Sequence, residues 1–267
     1  MATLITPPAL NDYEFSWNGV LLNGSSMPIW DVEKLTGLVD LPEVPAEILD
    51  YDGRDGSSIY SRYVKHRTII IEGTLYASTA TSLEDTIDTM MAAVNPTGVK
   101  IPFFFKRPGK SSMYCLCDVL GFNSDLDQLR RTAKAPWQLQ LGAGDRVKYI
   151  DVGNTAWTTN VNFNLTNAGN AVTYPEVNIT ANATTTADVT ITNNTTGISL
   201  VLSVAVTSGQ VLSVDLANLT VKVAGVIKNT GLTLTTANWP SQGTGVTSWK
   251  VISDIGNGTI FTRSGWL

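Results

Sequence analysis

A chain of 267 residues is long enough for two compact domains with ordinary cores, although one large all-β domain fits the same length. Its net charge of -5 excludes a surface built to neutralise phosphates, and 43% hydrophobic against 15% charged residues describes a globular chain with a Thr-, Ser- and Asn-covered surface. No apolar run approaches membrane-spanning length, and Met1-Ala2-Thr3-Leu4 lacks the basic start of a secretion signal, so no membrane insertion and synthesis in the cytosol are expected.

Residues 1–29 begin with turn signals at Pro7 and Pro8 and continue into the alternation Tyr13, Phe15, Trp17. Asn18-Gly19 and Asn23-Gly24 bracket Val20, Leu21 and Leu22, which predicts strand, turn, strand. The stretch from Trp30 to Tyr76 organises the rest. It opens with a short amphipathic segment, crosses proline-punctuated backbone and an Asp/Gly-rich loop over 50–58, and ends in a strand rich in β-branched residues. A long loop joined to a long strand is read as a belt that pairs with a neighbouring copy of the chain. Its candidate inter-subunit residues are Asp50, Tyr51, Asp52, Gly53, Arg54, Asp55, Tyr60, Thr68, Ile69, Ile70 and Ile71.

One helix follows. Ser82 is the expected cap, with Asp85 completing a capping box, and Leu83, Ile87, Met90, Met91 and Val94 recur at helical spacing until Asn95-Pro96 stops the run. The methionines read as a packed face. Ile101 to Phe105 and Tyr114 to Leu120 flank Arg107-Pro108-Gly109-Lys110 and predict a hairpin. Side-chain alternation then places Cys115 and Cys117 on one face of its second strand, where two thiols are too few for a metal and are expected buried. Trp137 to Leu141 reads as a further strand before Gly142-Ala143-Gly144-Asp145 closes the first region; that lone Gly-x-Gly is too weak for a nucleotide loop.

From residue 151 charges become rare, and short apolar runs alternate with Gly/Asn turns: 177–179, 189–191, 198–206, 211–216, 219–223, 232–234, 249–252 and 260–261. That spacing predicts an antiparallel β-sandwich. The expected class is therefore mainly β, with a β-rich (α+β) ring-forming domain carrying one helix over 1–150 and a sandwich over 151–267.

Candidates for catalysis are few. His66 is the single imidazole, and it follows a loop and does not sit in an obvious pocket, so no enzyme activity is expected. The carboxylates Asp50, Asp52 and Asp55, and Asp125 with Asp127, read as solvated turns. The first group departs from calcium-loop spacing, with Ser61 where the terminal Glu belongs. Asn-x-Ser/Thr triplets such as Asn164-Leu165-Thr166 reflect strand composition. The basic residues Lys65, Arg67, Lys106, Arg107, Lys110, Arg130 and Arg131 read as solvated or paired across a subunit contact. Trp157, Trp239, Trp249 and Trp266 set core packing against glycan stacking, with Trp239 and Trp249 the candidate glycan contacts. No cofactor and no metal are expected.

The order Trp30, Leu35-x-Gly37-Leu38, Pro42, the Asp52-Gly53 loop, Tyr60, the strand from Thr68 to Tyr76 with Gly73, Pro102-Phe103-Phe104-Phe105, and Trp137-x-Leu139-x-Leu141 before Asp145 resembles the ring domain of siphophage distal tail proteins. The second half is similar to their galectin-like sandwich through Asn167-x-Gly169, Pro175, Asn193-x-Thr195-Thr196-Gly197, Gly209-x-x-Leu212-x-Val214-Asp215, Asn229-x-Gly231, Trp239 and Gly243. It departs from them near the end, where the glycines are spread over Gly243, Gly245, Gly256 and Gly258. The resemblance implies a homo-oligomer, a hexameric ring at the distal end of the virion tail, made in the host bacterial cytoplasm. It further implies contact with the tail tube protein, the tape measure protein and the tail hub, with DNA passing through unbound. A host-glycan-binding module of the tail tip is the alternative.

Overall fold

The computed structural model describes residues 5–40, 46–50, 55, 57–61, 66–95, 98–125, 128–228, 232–234 and 239–267. The chain divides into two units: one is Pro7–Lys148, and the other is Tyr149–Leu267 together with residues 5–6. The amide of Ile5 donates to Asp151 Oδ2 at 2.7 Å, tying that short leader to the second unit. The division falls two residues before the boundary expected from composition.

In the first unit, β1 (Phe15–Trp17) and β2 (Val20–Leu22) form the predicted hairpin, with Asn18 at φ 44° and Gly19 at φ 85° making the left-handed turn that tight hairpins use. They are followed by β3 (Ile29–Thr36), β4 (Ala46–Asp50), β5 (Ser57–Ser61), β6 (Arg67–Tyr76), helix α1 (Ala80–Ala93), β7 (Ile101–Phe105), β8 (Met113–Asn123) and β9 (Lys134–Ala143). Seven of these strands run β8-β7-β1-β2-β3-β6-β9, and β9 pairs back onto β8, closing a barrel. The seam is thin where β2 meets β3 in a single parallel pair, Leu22↔Trp30.

Alternation fills that barrel. Along β6, Arg67, Ile69, Ile71, Gly73 and Leu75 face inward while Thr68, Ile70, Glu72, Thr74 and Tyr76 are half-buried on the other side. Trp17, Trp30, Phe103, Phe105, Trp137 and Leu139 complete the interior. The expectation that β6 is a belt strand pairing with another copy is corrected here. β6 is hydrogen-bonded to β9 along its whole length, Arg67↔Ala143 to Tyr76↔Lys134, and on its other side to β3 from Ile70 to Tyr76, so most of both its edges is taken within the chain.

Helix α1 starts earlier than the sequence predicts. Thr79, not Ser82, is the N-cap, its hydroxyl accepting from the Ser82 amide at 3.1 Å. Leu83, Ile87, Met90 and Ala93 form its buried face, and Val94 closes it; Met91, expected on that face, is exposed. Outside the barrel, β4 and β5 pair antiparallel from Ala46↔Ser61 to Asp50↔Ser57, and no third strand joins them among the described residues.

The second unit contains β10 (Lys148–Trp157), β11 (Asn162–Asn167), β12 (Glu176–Thr180), β13 (Thr185–Asn193), β14 (Ile198–Val206), β15 (Val211–Asp215), β16 (Thr220–Val223), β17 (Val226–Ile227), β18 (Leu232–Leu234), β19 (Gly245–Ser253) and β20 (Gly258–Trp266). One sheet runs β17-β16-β15-β12-β20-β10, antiparallel from β17 to β20, and a second β11-β19-β13-β14-β18, antiparallel throughout. Inward residues of both, among them Val177, Ile179, Val189, Ile191, Leu200, Leu212, Val214, Val251 and Ile260, make one core, which is the predicted sandwich.

Candidate assembly surface

The residues proposed from sequence for inter-subunit contact fall into two places. Asp50 and Tyr60 lie on β4 and β5, and Asp55 is exposed in the bend between them. Tyr51, Asp52, Gly53 and Arg54 lie outside the described residues. Thr68, Ile69, Ile70 and Ile71 are in the barrel wall, with Ile69 and Ile71 fully buried, so those two side chains serve the core and not a contact surface.

Where the chain departs toward this hairpin and returns from it, the geometry is tight. Gly37 adopts φ 78°, and a Cβ there would overlap the carbonyl of Thr68, so the outgoing chain lies directly against β6. Arg67, at the start of β6, is 1% exposed. Its Nη1 donates to the carbonyl oxygens of Gly37 (2.6 Å), Leu38 (2.9 Å) and Asp40 (2.7 Å), and its Nη2 to that of Arg146 (3.1 Å). Lys148 Nζ reaches the same Leu38 oxygen at 3.4 Å. Burial first, and then the charge of Arg67, lower the Lys148 ammonium to a pKa of about 8. The sequence reading of Arg67 as a surface cation is therefore wrong. The signal was present, because Arg67 shares the two-residue phase of Ile69 and Ile71 and so points inward with them.

His66 is exposed beside the barrel. Cys115 and Cys117 are buried free thiols on one strand face, as expected, and burial pushes the Cys115 thiol up to about 12 and raises Cys117 likewise, which keeps both protonated. Asp125 is exposed, accepting from Asn123 Nδ2 at 3.2 Å, and Asp127 lies outside the described residues. A cleft of about 330 Å³ on the outer face of β6 gathers Glu33, Glu72 and Asp125. Its carboxylates are engaged: Thr74 Oγ1 donates to Glu33 at 2.7 Å and Gln138 Nε2 to Glu72 at 2.6 Å. That last bond, followed by the charge of Lys34 at 3.4 Å, lowers the Glu72 pKa. Among the described residues no group of three or more His, Cys, Asp and Glu is placed to hold a metal ion.

In the sandwich, Trp249 is fully buried and its indole N–H donates to Thr247 Oγ1 at 2.8 Å, while Trp157 is 3% exposed. Neither presents a face to a sugar, so Trp249 is withdrawn as a glycan contact; Trp239 is partly buried against the same core. The Asn motifs that carried the resemblance have a structural use. Buried Asn193 accepts from the amides of Thr195 (2.9 Å) and Thr196 (3.3 Å) and donates to the Ser241 carbonyl (2.6 Å), fixing the β13–β14 turn to a distant segment. Buried Asn167 accepts from Gly169 (3.0 Å) and Gly265 (3.1 Å) and donates to Ala171 (2.7 Å).

The architecture defines a two-domain, mainly β protein in which a small closed barrel with one helix precedes an antiparallel sandwich. Residues 168–263 match the model of the siphovirus-type tail component, C-terminal domain. The crystal structure of the Dit (gp 19.1) protein of phage SPP1 superposes with a TM-score of 0.68 at 15% identity, covering 96% of this chain and 100% of that one. A chain of the phage P2 baseplate in its activated conformation with calcium gives 0.57 at 7% identity, over 94% and 97% of the two chains. The strontium form of that baseplate gives 0.57 at 8% identity, over 96% and 99%. No curated protein matches in sequence. The chain has the fold of the SPP1 Dit protein, and 168–263 in its second half match the siphovirus-type tail-component domain.

Proposed function

We propose that the chain is a structural component of a phage tail tip, forming a closed ring, a hexamer by family resemblance, that joins the tail tube and tape measure to the hub and leaves a channel through which DNA passes. The observation that carries this is the β4–β5 hairpin. A lone two-stranded ribbon of five-residue strands is marginal in water and keeps a row of unpaired backbone groups on each outer edge, whereas a third strand or a packed partner makes it stable. Among the described residues the barrel supplies no such strand, because its own wall strands are already paired on both sides. A neighbouring copy does, and a head-to-tail contact of this kind closes into a ring when its rotation permits. A net charge of -5 suits a channel that must not retain DNA.

The role is connection and not catalysis, in keeping with the carboxylates and thiols described above. Burial of Trp249 argues against glycan stacking on the sandwich. Native mass spectrometry of the intact chain, alone and with its tail partners, tests the reading: a closed oligomer is expected, and a chain that stays monomeric at high concentration and with partners present overturns it.

A further inference from the structure

We infer that Arg67 is the clamp that fixes the assembly hairpin to the barrel, acting as a positioning residue for inter-subunit contact; the last step of this inference rests on the ring reading. The chain leaves the barrel after Asp40, forms β4 and β5, and returns at Arg67. One guanidinium nitrogen of the returning chain holds three carbonyls of the departing chain, those of Gly37, Leu38 and Asp40. Both ends of the excursion are thus joined by a single side chain. Gly37 lies against the Thr68 backbone at the same spot, so the two legs meet with no room between them.

The choice of residue is informative. A buried cation is costly unless its donors are used, and both terminal nitrogens of Arg67 donate to backbone carbonyl oxygens, so among the described residues it serves as a fork gathering backbone and not as half of an ion pair. A lysine has one nitrogen and cannot reach the 37–40 carbonyls and that of Arg146 together, whereas the two terminal nitrogens of the guanidinium do. A hydrophobic residue at this inward position would fill the barrel end and leave the 37–40 carbonyls unsatisfied. Holding the ends of a long excursion together removes closure entropy that a marginal hairpin otherwise pays, and presents the ribbon in one orientation to its partner.

Hydrogen exchange read by mass spectrometry on the full chain, at concentrations where it is monomeric, tests the clamp in the wild type, Arg67→Met and Arg67→Lys. Peptides covering 46–61 should exchange about tenfold faster or more in Arg67→Met, through the loss of several hydrogen bonds from a charged donor, and faster by a smaller factor in Arg67→Lys, which keeps a cation and loses the second nitrogen, while β6, β9 and the sandwich keep their rates. Native mass spectrometry should show the oligomer weakened in the same variants. Hairpin exchange that is unchanged in a folded variant, or unprotected already in the wild type, overturns the inference. So does loss of barrel protection together with the hairpin in both variants, since Arg67 would then be a core residue and nothing more. A wild type that never oligomerises would sink the ring reading, yet the exchange data would still decide the clamp.

Discussion

Gly73 stands directly opposite Trp137 between β6 and β9, on the inward side of the barrel wall. The indole of Trp137 meets that of Trp30 edge-on, with ring centroids 5.2 Å apart. Across the other edge of β6, the β3 backbone comes so close that a Cβ on residue 73 would overlap the Asp31 carbonyl oxygen. Glycine is therefore required by backbone approach, and the register shift between Val32 and Lys34 sits at the same place. Gly73→Ala should cost about 3 kcal/mol, at the upper end of overpacking effects, and lower the melting temperature of the barrel in differential scanning calorimetry. An unchanged transition would show that β3 yields freely.

Removing 50–58 should abolish the oligomer while leaving a folded sandwich. The sandwich core is built from strands after residue 148 and does not draw on the hairpin. Native mass spectrometry reports the first effect and near-ultraviolet circular dichroism the second. A deleted chain that still assembles would move the contact elsewhere.

Trp249 and Thr247 make a buried indole–hydroxyl bond. Trp249→Ala should destabilise the sandwich by about 3–5 kcal/mol through cavity formation, measured by urea denaturation. Iodide should leave Trp249 emission untouched in the wild type, since the side chain is fully buried. Efficient quenching of it would revive glycan stacking.

The helix cap gives a sharper local contrast. Thr79→Ala removes the acceptor for the Ser82 amide and should cost about 1 kcal/mol, whereas Ser82→Ala, predicted costly from the sequence, should cost far less. Thermal melts of the two variants side by side decide between them.

Lys148 titrates near 8 in the folded chain, below its ordinary 10.5, because burial and Arg67 disfavour its charge. The unfolded chain then binds more protons than the folded one between those values, so stability rises with pH across that window; the penalty is fully present below about pH 8. The buried thiols act oppositely. Raised above their ordinary 9.0, they withdraw stability as pH climbs past it. In a Cys115→Ala background, which removes the thiol coupled to Lys148, subtracting the profile of Lys148→Met isolates the lysine, and the difference should climb from pH 8 to 10. A flat difference would mean that Lys148 is solvated.

The second domain was largely legible because its strands alternate cleanly between Gly and Asn turns: 198–206 and 232–234 appear as read. β10 and β11 were not, since Gly153 at φ 111° interrupts the first and Asn162, Asn164 and Asn167 give the second the composition of a turn. The composition of β6 announced burial but could not say by what, because its partner β9 lies some seventy residues on. The candidate contact suffered most. Its strand half was read as an edge, while Arg67, beside His66, passed as surface charge because the carbonyls that hold it come from 37–40 and arrive only on folding.

Barrel closure also bears on how many copies can join. An open wall would offer two sticky margins and invite filaments of indefinite length, as unprotected sheets do. With β9 returning to β8, that wall has no margin left to extend. If the proposed ring forms, its stoichiometry rests on the reach and angle of a single ribbon, so that lengthening or shortening one loop, and not redesigning a surface, would be the way to change the number of subunits around the axis.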